Sequence, residues 1–583
     1  MAHQFQLDPF RLLGLPTLLA LSISAPGQAA TFDIGEIQGQ FDSSLSIGAS
    51  WALRNPDRAF IGTWNAGHAS SQSSDDGRLN FRKGETFSKI FKGVHDLQLS
   101  YGDSGLFLRG KYWYDFELKD ESRRYVQISD EHRKEAAKSS GAQLLDAFVY
   151  HNYFIADQPG NARLGKQVVS WGESTFIGNG INVINPTDVA AFRRPGAEIK
   201  EGLIPVNMLF LSQGLSENLS AEFFYQLEWD QTVVDNCGTF FGSDVMADGC
   251  NTRMGFSPPW DPNGQYHFTR GGDRDARDSG QFGMALRWQV EALNNTEFGL
   301  YALNYHSRAP FLGGTVGAAP FAVKPGTRAS SAEYFIEYPE DIRLYGLSFA
   351  TTLGTTAVSG ELSYRSNMPL SLNGSDVTIA ALAGPMAADL GAPIFTSGFA
   401  QPVPGESFHG YVRKPVTQAQ ITLTHFIDQV WAAERLSLIT EIGYNHLGDI
   451  NSNALRFGRD SIFGNGELPD NRNCALMANP VNPQNCNNKG FYTANSWGYR
   501  GRAILDYQNV IAGVNLKPSL SWSHDVQGYG PNFNQGSKAI SLALDADLRN
   551  TYSASLSYTD FFGGAYNTST DRDFVALSFG VSF

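Results

Sequence analysis

The chain has 583 residues, of which 17% are charged and 13% aromatic, and its formal net charge at pH 7 is −14. This acidic balance argues against a nucleic-acid partner, which would require a basic face. The mean hydropathy of −0.25 is low for a membrane protein, but a barrel with a polar lumen and polar outer loops hides an apolar lipid face in such an average.

The first 29 residues have the three-part layout of a secretory signal peptide. A polar start with one basic residue, Arg11, precedes the mostly apolar run 12–23 and the small-residue stretch 25–30. The apolar run is too short to span a bilayer as a helix. We predict cleavage after Ala29, which leaves residues 30–583 as a single domain; cleavage after Ala30 is the less favourable alternative, because it places Gln28 at a position that prefers a small residue. No other apolar run approaches 18 residues, so the exported chain is either soluble or a closed outer-membrane barrel.

About eighteen segments of the mature chain alternate apolar and other residues with the two-residue period of β-strands. They are 37–53, 86–101, 106–118, 144–155, 162–170, 203–213, 219–230, 282–292, 297–307, 341–353, 356–366, 416–427, 436–446, 497–507, 510–524, 537–545, 551–562 and 572–583. Sixteen strands remain possible if a weak segment such as 86–101 is misread, because strand boundaries from sequence are uncertain by a few residues.

Short turns alternate with long connections along this series of strands. The long ones include 54–85, 171–202, 231–281, 308–340, 367–415 and 447–496. This alternation is typical of an all-β transmembrane antiparallel β-barrel of the outer membrane, with short periplasmic turns and long extracellular loops. A soluble fold with so many structureless loops would be unusual.

The last strand shows the alternation most clearly. Its larger apolar residues are Val575, Leu577, Phe579, Val581 and Phe583, and the residues between them are Ala576, Ser578, Gly580 and Ser582. We expect the first set to face lipid and the second the lumen. A strand that ends the chain on an aromatic residue resembles the closing strand of outer-membrane barrels, whose final Phe is read by the barrel-assembly machinery. The alternative is the last strand of a soluble sandwich.

Aromatic and charged residues are expected on opposite faces of the strands. The predicted interface girdles comprise Tyr112, Tyr114, Trp229, Trp288, Tyr301, Tyr305, Tyr345, Tyr364, Tyr444, Tyr499, Trp522 and Tyr558; ordinary packing in a β core is the alternative. The predicted lumen charges are Arg109, Lys111, Asp115, Glu222, Glu228, Glu361, Arg365, Lys517 and Asp525.

One segment indicates a family. Residues 163–189 (RLGKQVVSWGESTFIGNGINVINPTDV) and 193–200 (RRPGAEIK), with 34–46, 338–349 and 360–365, strongly resemble the proteobacterial family filed as domain of unknown function 1302 (DUF1302). The resemblance covers essentially the whole mature chain. It implies an outer-membrane barrel that handles hydrophobic compounds such as lipids, sterols, terpenes or alkanes. It also implies a periplasmic partner protein and an RND-type inner-membrane transporter. No catalytic residues are established for the family.

Residues 171–202 are the predicted plug or constriction of the barrel. The segment and its approach contain four spaced glycines and an Asn/Pro-rich centre, which permit close backbone packing and turns. A surface loop held by its own turns is the alternative. If the segment lines a pore, Glu173, Arg193 and Arg194 are the charges expected to set the constriction field, and Trp171 and Phe176 would contact an apolar solute.

The four cysteines suit an oxidising compartment. Cys237 and Cys250 lie close in sequence, as do Cys474 and Cys486. Two local disulfides are favoured over a shared metal site, because neither pair has CxxC spacing or a nearby histidine.

The sequence carries no recognisable enzyme chemistry. It has no nucleophile elbow, zinc motif or Walker loop, so we predict no catalytic residue, cofactor or metal. The acidic stretches 74–76 and 273–278 are interpreted as solvated loop charges, with calcium binding or divalent bridging to lipopolysaccharide as the alternative.

We therefore expect an outer-membrane channel or transporter for a hydrophobic or amphipathic small molecule, surrounded by outer-membrane lipid and lipopolysaccharide. An eighteen-stranded cylinder is wide enough for an aqueous channel unless it is plugged. A non-transporting docking or adhesion barrel is the alternative, and an outer-membrane enzyme comes third.

Overall fold

The structure is a computed structural model that describes residues 30–250, 254, 267–318, 329–389, 391–451, 454–467 and 487–583. Its strands are β1 (Ala30–Ile34), β2 (Ile37–Ala52), β3 (Thr86–Tyr101), β4 (Ser104–Asp115), β5 (Ser140–Ile155), β6 (Gln158–Gln167), β7 (Val206–Ser216), β8 (Leu219–Gln226), β9 (His267–Arg270), β10 (Phe282–Val290), β11 (Thr296–Tyr305), β12 (Phe311–Thr315), β13 (Ala329–Glu337), β14 (Ile342–Leu353), β15 (Thr356–Ser371), β16 (Ser407–Phe408), β17 (Tyr411–Asp428), β18 (Arg435–Leu447), β19 (Asn495–Ile511), β20 (Val514–Gln527), β21 (Lys538–Leu548), β22 (Tyr552–Phe562) and β23 (Phe574–Ser582). Its α-helices are α1 (Asp75–Asn80), α2 (Phe116–Lys119), α3 (Val189–Arg193), α4 (Ile199–Gly202), α5 (Gly374–Ala383), α6 (Pro385–Asp389) and α7 (Pro393–Thr396). None of these helices is long and apolar enough to cross a membrane.

Eighteen of the described strands form one closed antiparallel barrel. Each barrel strand pairs with the next along the chain, and β23 pairs back with β2 over residues 574–582 and 44–52. The short strand β1 pairs only with residues 37–41 of β2 within the described chain, beyond the end of β23. The predicted strand number, including the weak segment 86–101, is confirmed. Because the number is even, both ends of the barrel chain lie on the side of the short turns, the periplasmic side.

Two of the predicted turns lie elsewhere. The predicted strands 144–155 and 162–170 leave residues 156–161 as a turn, but the turn between β5 and β6 is at residues 156–157, and Pro159 pairs with Phe154 inside the ladder. The pairing of β6 with β7 begins only at Gly160, so Pro159 sits at a strand edge where its missing N–H costs little. Likewise, the β19–β20 turn is at residues 512–513, not 508–509, since Ile511 pairs with Val514.

The outward face of the barrel is an apolar surface with aromatic residues. Exposed residues on it include Leu164, Trp288, Leu300, Tyr345, Leu347, Tyr364, Leu423, Tyr444, Leu556, Tyr558 and Phe579. A closed barrel with such an outer face is an outer-membrane protein, because a lipid bilayer accepts apolar side chains and no unpaired strand edge.

For three residues, the predicted place in the interface girdles is wrong. Tyr301 and Tyr305 point into the barrel and are almost fully buried, and Trp229 lies in the core of the outer loops. The error has a physical cause: β11 carries apolar residues on both faces, because its inner face packs against a chain segment inside the lumen. Alternation alone cannot tell such faces apart.

The extracellular loops form a packed cap instead of the structureless connections predicted. Strands β9, β12, β13 and β16 make a second, four-stranded sheet, and nine of the ten residues of α5 are buried against it and the neighbouring loops. The sequence did not reveal these elements, because the strands are short and α5, which is buried on all sides, lacks the separate apolar and polar faces of a surface helix. Cys237 and Cys250 form the predicted disulfide within this cap. The prediction for Cys474 and Cys486 falls outside the described residues.

Candidate functional site in the barrel lumen

Residues 171–202, hereafter the plug, lie inside the barrel. The chain leaves β6 at Gln167 and rejoins the wall in β7 at Val206. Between these points its first arm, 171–184, contacts the inner faces of β8, β10, β11, β14, β15, β17 and β18. Its second arm, 185–202, contacts β2, β3, β4 and β23. The predicted inward fold is therefore confirmed.

Two wall carboxylates hold the irregular backbone of the first arm. Glu361 of β15 accepts hydrogen bonds from the N–H groups of Glu173 (2.7 Å) and Ile181 (2.9 Å). Glu441 of β18 accepts three more, from residues 175–177 at 2.6–3.0 Å. A loop without secondary structure needs partners for its buried N–H groups. Charged acceptors make the strongest such bonds, so these two residues position the arm.

Glycines in the wall form sockets for apolar side chains of the plug. A Cβ added to Gly346 of β14 would lie 2.7 Å from Ile181 Cδ1, and one added to Gly443 of β18 would lie 2.7 Å from Ile177 Cδ1. The arm therefore lies closer to the wall than any larger inward-facing residue would permit.

Two buried ion pairs fix the second arm. The Nζ of Lys92 in β3 lies 2.5 Å from Glu201 Oε1, and the Nζ of Lys111 in β4 lies 3.0 Å from Asp188 Oδ2. All four side chains are at most 5% exposed. The cost of dehydrating such charges offsets much of their attraction, but breaking one pair leaves an uncompensated buried charge. The pairs therefore fix where the arm lies more than they stabilise the barrel.

The predicted pore residues separate into an anchor and exposed groups. Trp171 is 1% exposed and donates from Nε1 to Glu222 (2.6 Å) against Phe224 and Tyr301. The predicted contact of Trp171 with a solute is therefore wrong. The sequence alone does not show whether a Trp side chain in this segment lines a pore or packs against the barrel wall. Phe176 is 39% exposed, and Glu173 is half-buried.

Arg193 and Arg194 lie side by side at the end of α3. The Arg193 guanidinium pairs with Asp235 of the outer loop 227–281 and lies over the Phe241 ring (4.5 Å). The Arg194 guanidinium lies over Trp113 (5.0 Å) and donates to the carbonyl of Ala136 (3.1 Å). Whether these residues form the constriction stays a prediction.

Two cavities remain between the second arm and the wall of β2, β22 and β23. The larger has a volume of about 430 Å³ and is lined by plug residues 192–197 and by inner-face residues of β22 and β23, from Phe561 and Phe574 down to Ser555 and Ser578. The smaller, of about 230 Å³, lies next to it toward the periplasm and reaches Ser582 and Phe583. The open part of the lumen therefore follows β23.

Small residues line this side of the barrel on five neighbouring strands. The strand registers place on one inner surface Ser44, Ser46, Gly48, Ser50, Ser519, Ser521, Ser523, Ala539, Ser541, Ala543, Ser553, Ser555, Ser557, Thr559, Ala576, Ser578, Gly580 and Ser582. Larger side chains stand only toward its ends, namely Lys517, Asp545 and Asp547 on the periplasmic side and Phe561 and Phe574 on the extracellular side. The plug comes close to this wall around Gly48 and Ser578, next to Pro195 and Gly196. The two cavities lie beside these contacts, along the same wall.

Sequence reasoning identified several of these wall residues without their role. It placed Lys111, Glu222 and Glu361 on the lumen face but did not connect them with the plug, and it missed Lys92 and Glu441. Nothing in strand alternation shows which lumen charge meets which loop, because that contact depends on the path of residues 171–202.

The acidic stretch 74–76 is not the solvated loop charge predicted. Asp75 and Asp76 are buried, and the Asp75 carboxylate accepts bonds from Gly62 N (3.0 and 3.1 Å) and Asn65 Nδ2 (2.7 Å). Burial raises the pKa of the Asp75 carboxyl to about 6. In the described chain no three His, Cys, Asp or Glu side chains come together as a metal site.

Several solved structures are similar to this chain, among them an outer membrane channel. OccAB1 of Acinetobacter baumannii shares 11% identity at a TM-score of 0.40, covering 96% of this chain and 98% of that one. The outer membrane channel DcaP of the same organism shares 8% identity at 0.35, covering 95% and 100%. OccK9 (OpdG) of Pseudomonas aeruginosa shares 10% identity at 0.37, covering 94% and 97%. These likenesses are too distant to support an argument about function.

No curated protein matches the chain. The model of the family described as "Protein of unknown function (DUF1302)" matches residues 11–583, so the chain belongs to that family.

Proposed function

We propose that this protein is an outer-membrane channel whose solute passes between the second arm of the plug and the small-residue wall. The two cavities that follow one another along β23 carry the proposal. A barrel of eighteen strands is too wide for its wall side chains to fill. Here the plug fills part of the remaining lumen and leaves space along the small-residue wall. This arrangement favours a channel over a non-transporting docking barrel or an enzyme.

A hydrophobic or amphipathic solute fits the larger cavity. Phe192 of the plug is 44% exposed, and Phe241, Phe561 and Phe574 also line the cavity. Phe561 and Phe574 share strands β22 and β23 with a row of serine and threonine hydroxyls that line the same cavity. These rings and hydroxyls offer apolar contact and hydrogen bonds to the same molecule.

Partners on the periplasmic side are part of the proposal. A periplasmic protein and an RND-type inner-membrane transporter would receive or supply the solute. The barrel-assembly machinery would read Phe583, whose ring is 47% exposed and whose backbone N–H and carbonyl are both bonded to Ser43.

Narrowing the larger cavity tests the path. Ser557→Trp places a large ring in the cavity, whereas Leu556→Trp, one residue earlier in β22, places the same ring in lipid. We expect the first to lower single-channel conductance and the uptake of an uncharged aromatic dye into liposomes at least fivefold, and the second to leave both unchanged. Equal uptake through both variants would mean that the solute does not pass along β22, and an absence of uptake through the unaltered protein would contradict the channel itself.

A further inference from the structure

We propose that the extracellular cap contains a capture chamber for a small, uncharged apolar molecule, separate from the lumen cavities. This inference rests on the proposed channel function, since capture outside the barrel would precede passage through it. The chamber has a volume of about 310 Å³. Its apolar lining comes from Val245, Met246, Met254, Pro310, Leu312 and Leu372.

Several separate loops build the chamber. The disulfide-closed loop 237–250 contributes one side, the start of β12 a second, and the segment that follows β15 a third. Val245, Met254 and Leu372 are at most 5% exposed, so the chain holds buried side chains around an open volume. The apolar side chains that line this volume gain free energy when an apolar ligand displaces water from them.

The chemistry of the lining selects an uncharged ligand. The two charged residues on its edge are occupied: the Arg459 guanidinium donates to the carbonyls of residues 463, 464, 487 and 489, and the Asp460 carboxylate accepts from Ile462 N. The hydroxyl of Ser461 is bonded to Ser71 and Ser73. Among the described residues of the lining, a charged ligand would therefore lose its hydration without gaining a charged partner.

The size of the chamber sets the size of the ligand. At roughly 30 Å³ per non-hydrogen atom, the share of a water molecule in the liquid, the chamber has room for about ten such atoms. Two methionines in the lining suit a ligand of variable shape, because the Met side chain is flexible and polarisable.

The chamber is connected to the plug through the loop that lines it. Upstream of the disulfide, Val233 exchanges backbone hydrogen bonds with Thr187 (2.8 Å) and Val189 (3.0 Å) of the plug. Asp235 of the same loop pairs with Arg193. A ligand that contacts Val245 and Met246 therefore touches the same loop that holds the second arm in place.

The test uses the full-length protein in nanodiscs with naphthalene as the probe and 1-naphthoate as its charged counterpart. The uncharged 1-naphthamide, which has the size of 1-naphthoate, separates the effect of charge from that of size and should bind more tightly than 1-naphthoate. We expect naphthalene to bind with a 1:1 stoichiometry and 1-naphthoate to bind at least tenfold more weakly. Met246→Trp fills the chamber and should weaken naphthalene binding at least tenfold. Met386→Trp, which alters a half-buried methionine of the same cap outside the chamber lining, should leave it unchanged. Ser243→Phe is a second filling variant, and heat-modifiable gel mobility identifies folded barrels.

The binding results test the proposed chamber independently of the proposed channel. Saturable binding that Met246→Trp or Ser243→Phe abolishes while Ser557→Trp retains it supports the chamber. Partition into the lipid alone, with no effect of either filling variant, overturns the inference, as does equal binding of 1-naphthoate. The proposed channel fails instead if liposome uptake is absent while naphthalene still binds.

Discussion

At the scale of single residues, glycines of the inner wall determine most directly where the plug lies. We predict that the double variant Gly346→Val/Gly443→Val displaces the first arm, because Ile181 and Ile177 occupy the space that the new side chains need. Single-channel recordings should show a larger and noisier conductance. The control is Gly501→Val, where an added Cβ meets nothing closer than 3.9 Å. Unchanged conductance in the double variant would mean that the arm does not narrow the pore.

The two arginines of the plug should contribute unequally to ion preference. Arg193 forms an ion pair with Asp235. Arg194 contacts the Trp113 ring and the carbonyl of Ala136, and within the described chain it acts on Asp115 and Asp235 from beyond ion-pair distance. Neutralising Arg194 therefore removes more positive field from the lumen. We expect Arg194→Gln to shift the reversal potential in a salt gradient toward cations more than Arg193→Gln does. Equal shifts would contradict this assignment.

At the scale of single elements, two consecutive residues of one strand provide a matched test, because one faces lipid and the next faces the lumen. On β22, Leu556 faces lipid and Ser557 borders the larger cavity. Leu556→Arg should cost about 2–4 kcal/mol near the bilayer midplane and lower the yield of folded barrel, while Ser557→Arg should assemble normally. Ser578 faces the lumen as predicted, but an added Cβ at Gly196 would lie 2.9 Å from its hydroxyl, so arginine at 578 would strike the plug. Equal yields of folded barrel from Leu556→Arg and Ser557→Arg would disprove the register.

The loop that contains α1 should become more stable as the pH falls. Burial penalises the charge of Asp75 and raises its pKa to about 6 in the folded loop, against 3.8 for the same group in the unfolded chain. The folded loop thus holds the proton more tightly than the unfolded chain. The resulting stabilisation, about 3 kcal/mol, is present in full below pH 3.8 and is lost as the pH rises through about 6. Asp76 and Arg78 also act on this carboxyl, and the pKa of the neighbouring Asp244 is raised by burial as well.

Hydrogen exchange of residues 62–80 measures this effect. After correction for the intrinsic pH dependence of exchange, protection should be greater at pH 5 than at pH 7.5. Asp75→Asn should reduce the difference, while Asp57→Asn, at an exposed position of the same loop, should retain it. Greater protection at pH 7.5 would reverse the sign and refute the interpretation.

Elements with a strict period were predictable, and elements without one were not. Every barrel strand was found from alternation because each separates lipid from lumen along its whole length. Pro159 and Gly160 were misread as a turn, since their residue types favour turns while their position at a strand edge permits pairing. Helix α5 was missed because burial on all sides removes the polar face that would have identified a helix.

For the molecule as a whole, the sequence predicted that residues 171–202 turn inward but not how they are held. Spaced glycines and the Asn/Pro centre indicate a segment that can pack against a wall. The partners Lys92, Glu361 and Glu441 are far away in sequence, and only the closed barrel brings them to the plug. An asymmetric lumen, with large residues on one wall and small ones on the other, is likewise a property of the closed cylinder and not of any one strand.

Removing the first arm tests whether the plug closes the lumen. Deleting Thr175–Val183 takes away the residues held by Glu441 and the side chains seated at Gly346 and Gly443. It keeps Asn185, which bonds the carbonyls of Gln167 and Ile204 and so retains the second arm.

A lumen of eighteen strands cannot be filled by wall side chains alone, so this deletion should open a wide path along β14 to β18. We expect conductance in planar bilayers to rise severalfold and cells to become sensitive to large antibiotics. The full-length chain carrying Glu434→Gln, a change at a periplasmic turn, serves as the control. If conductance and antibiotic sensitivity stayed at the control values, the first arm would be a wall lining and the closure of the lumen would have to lie in the extracellular cap.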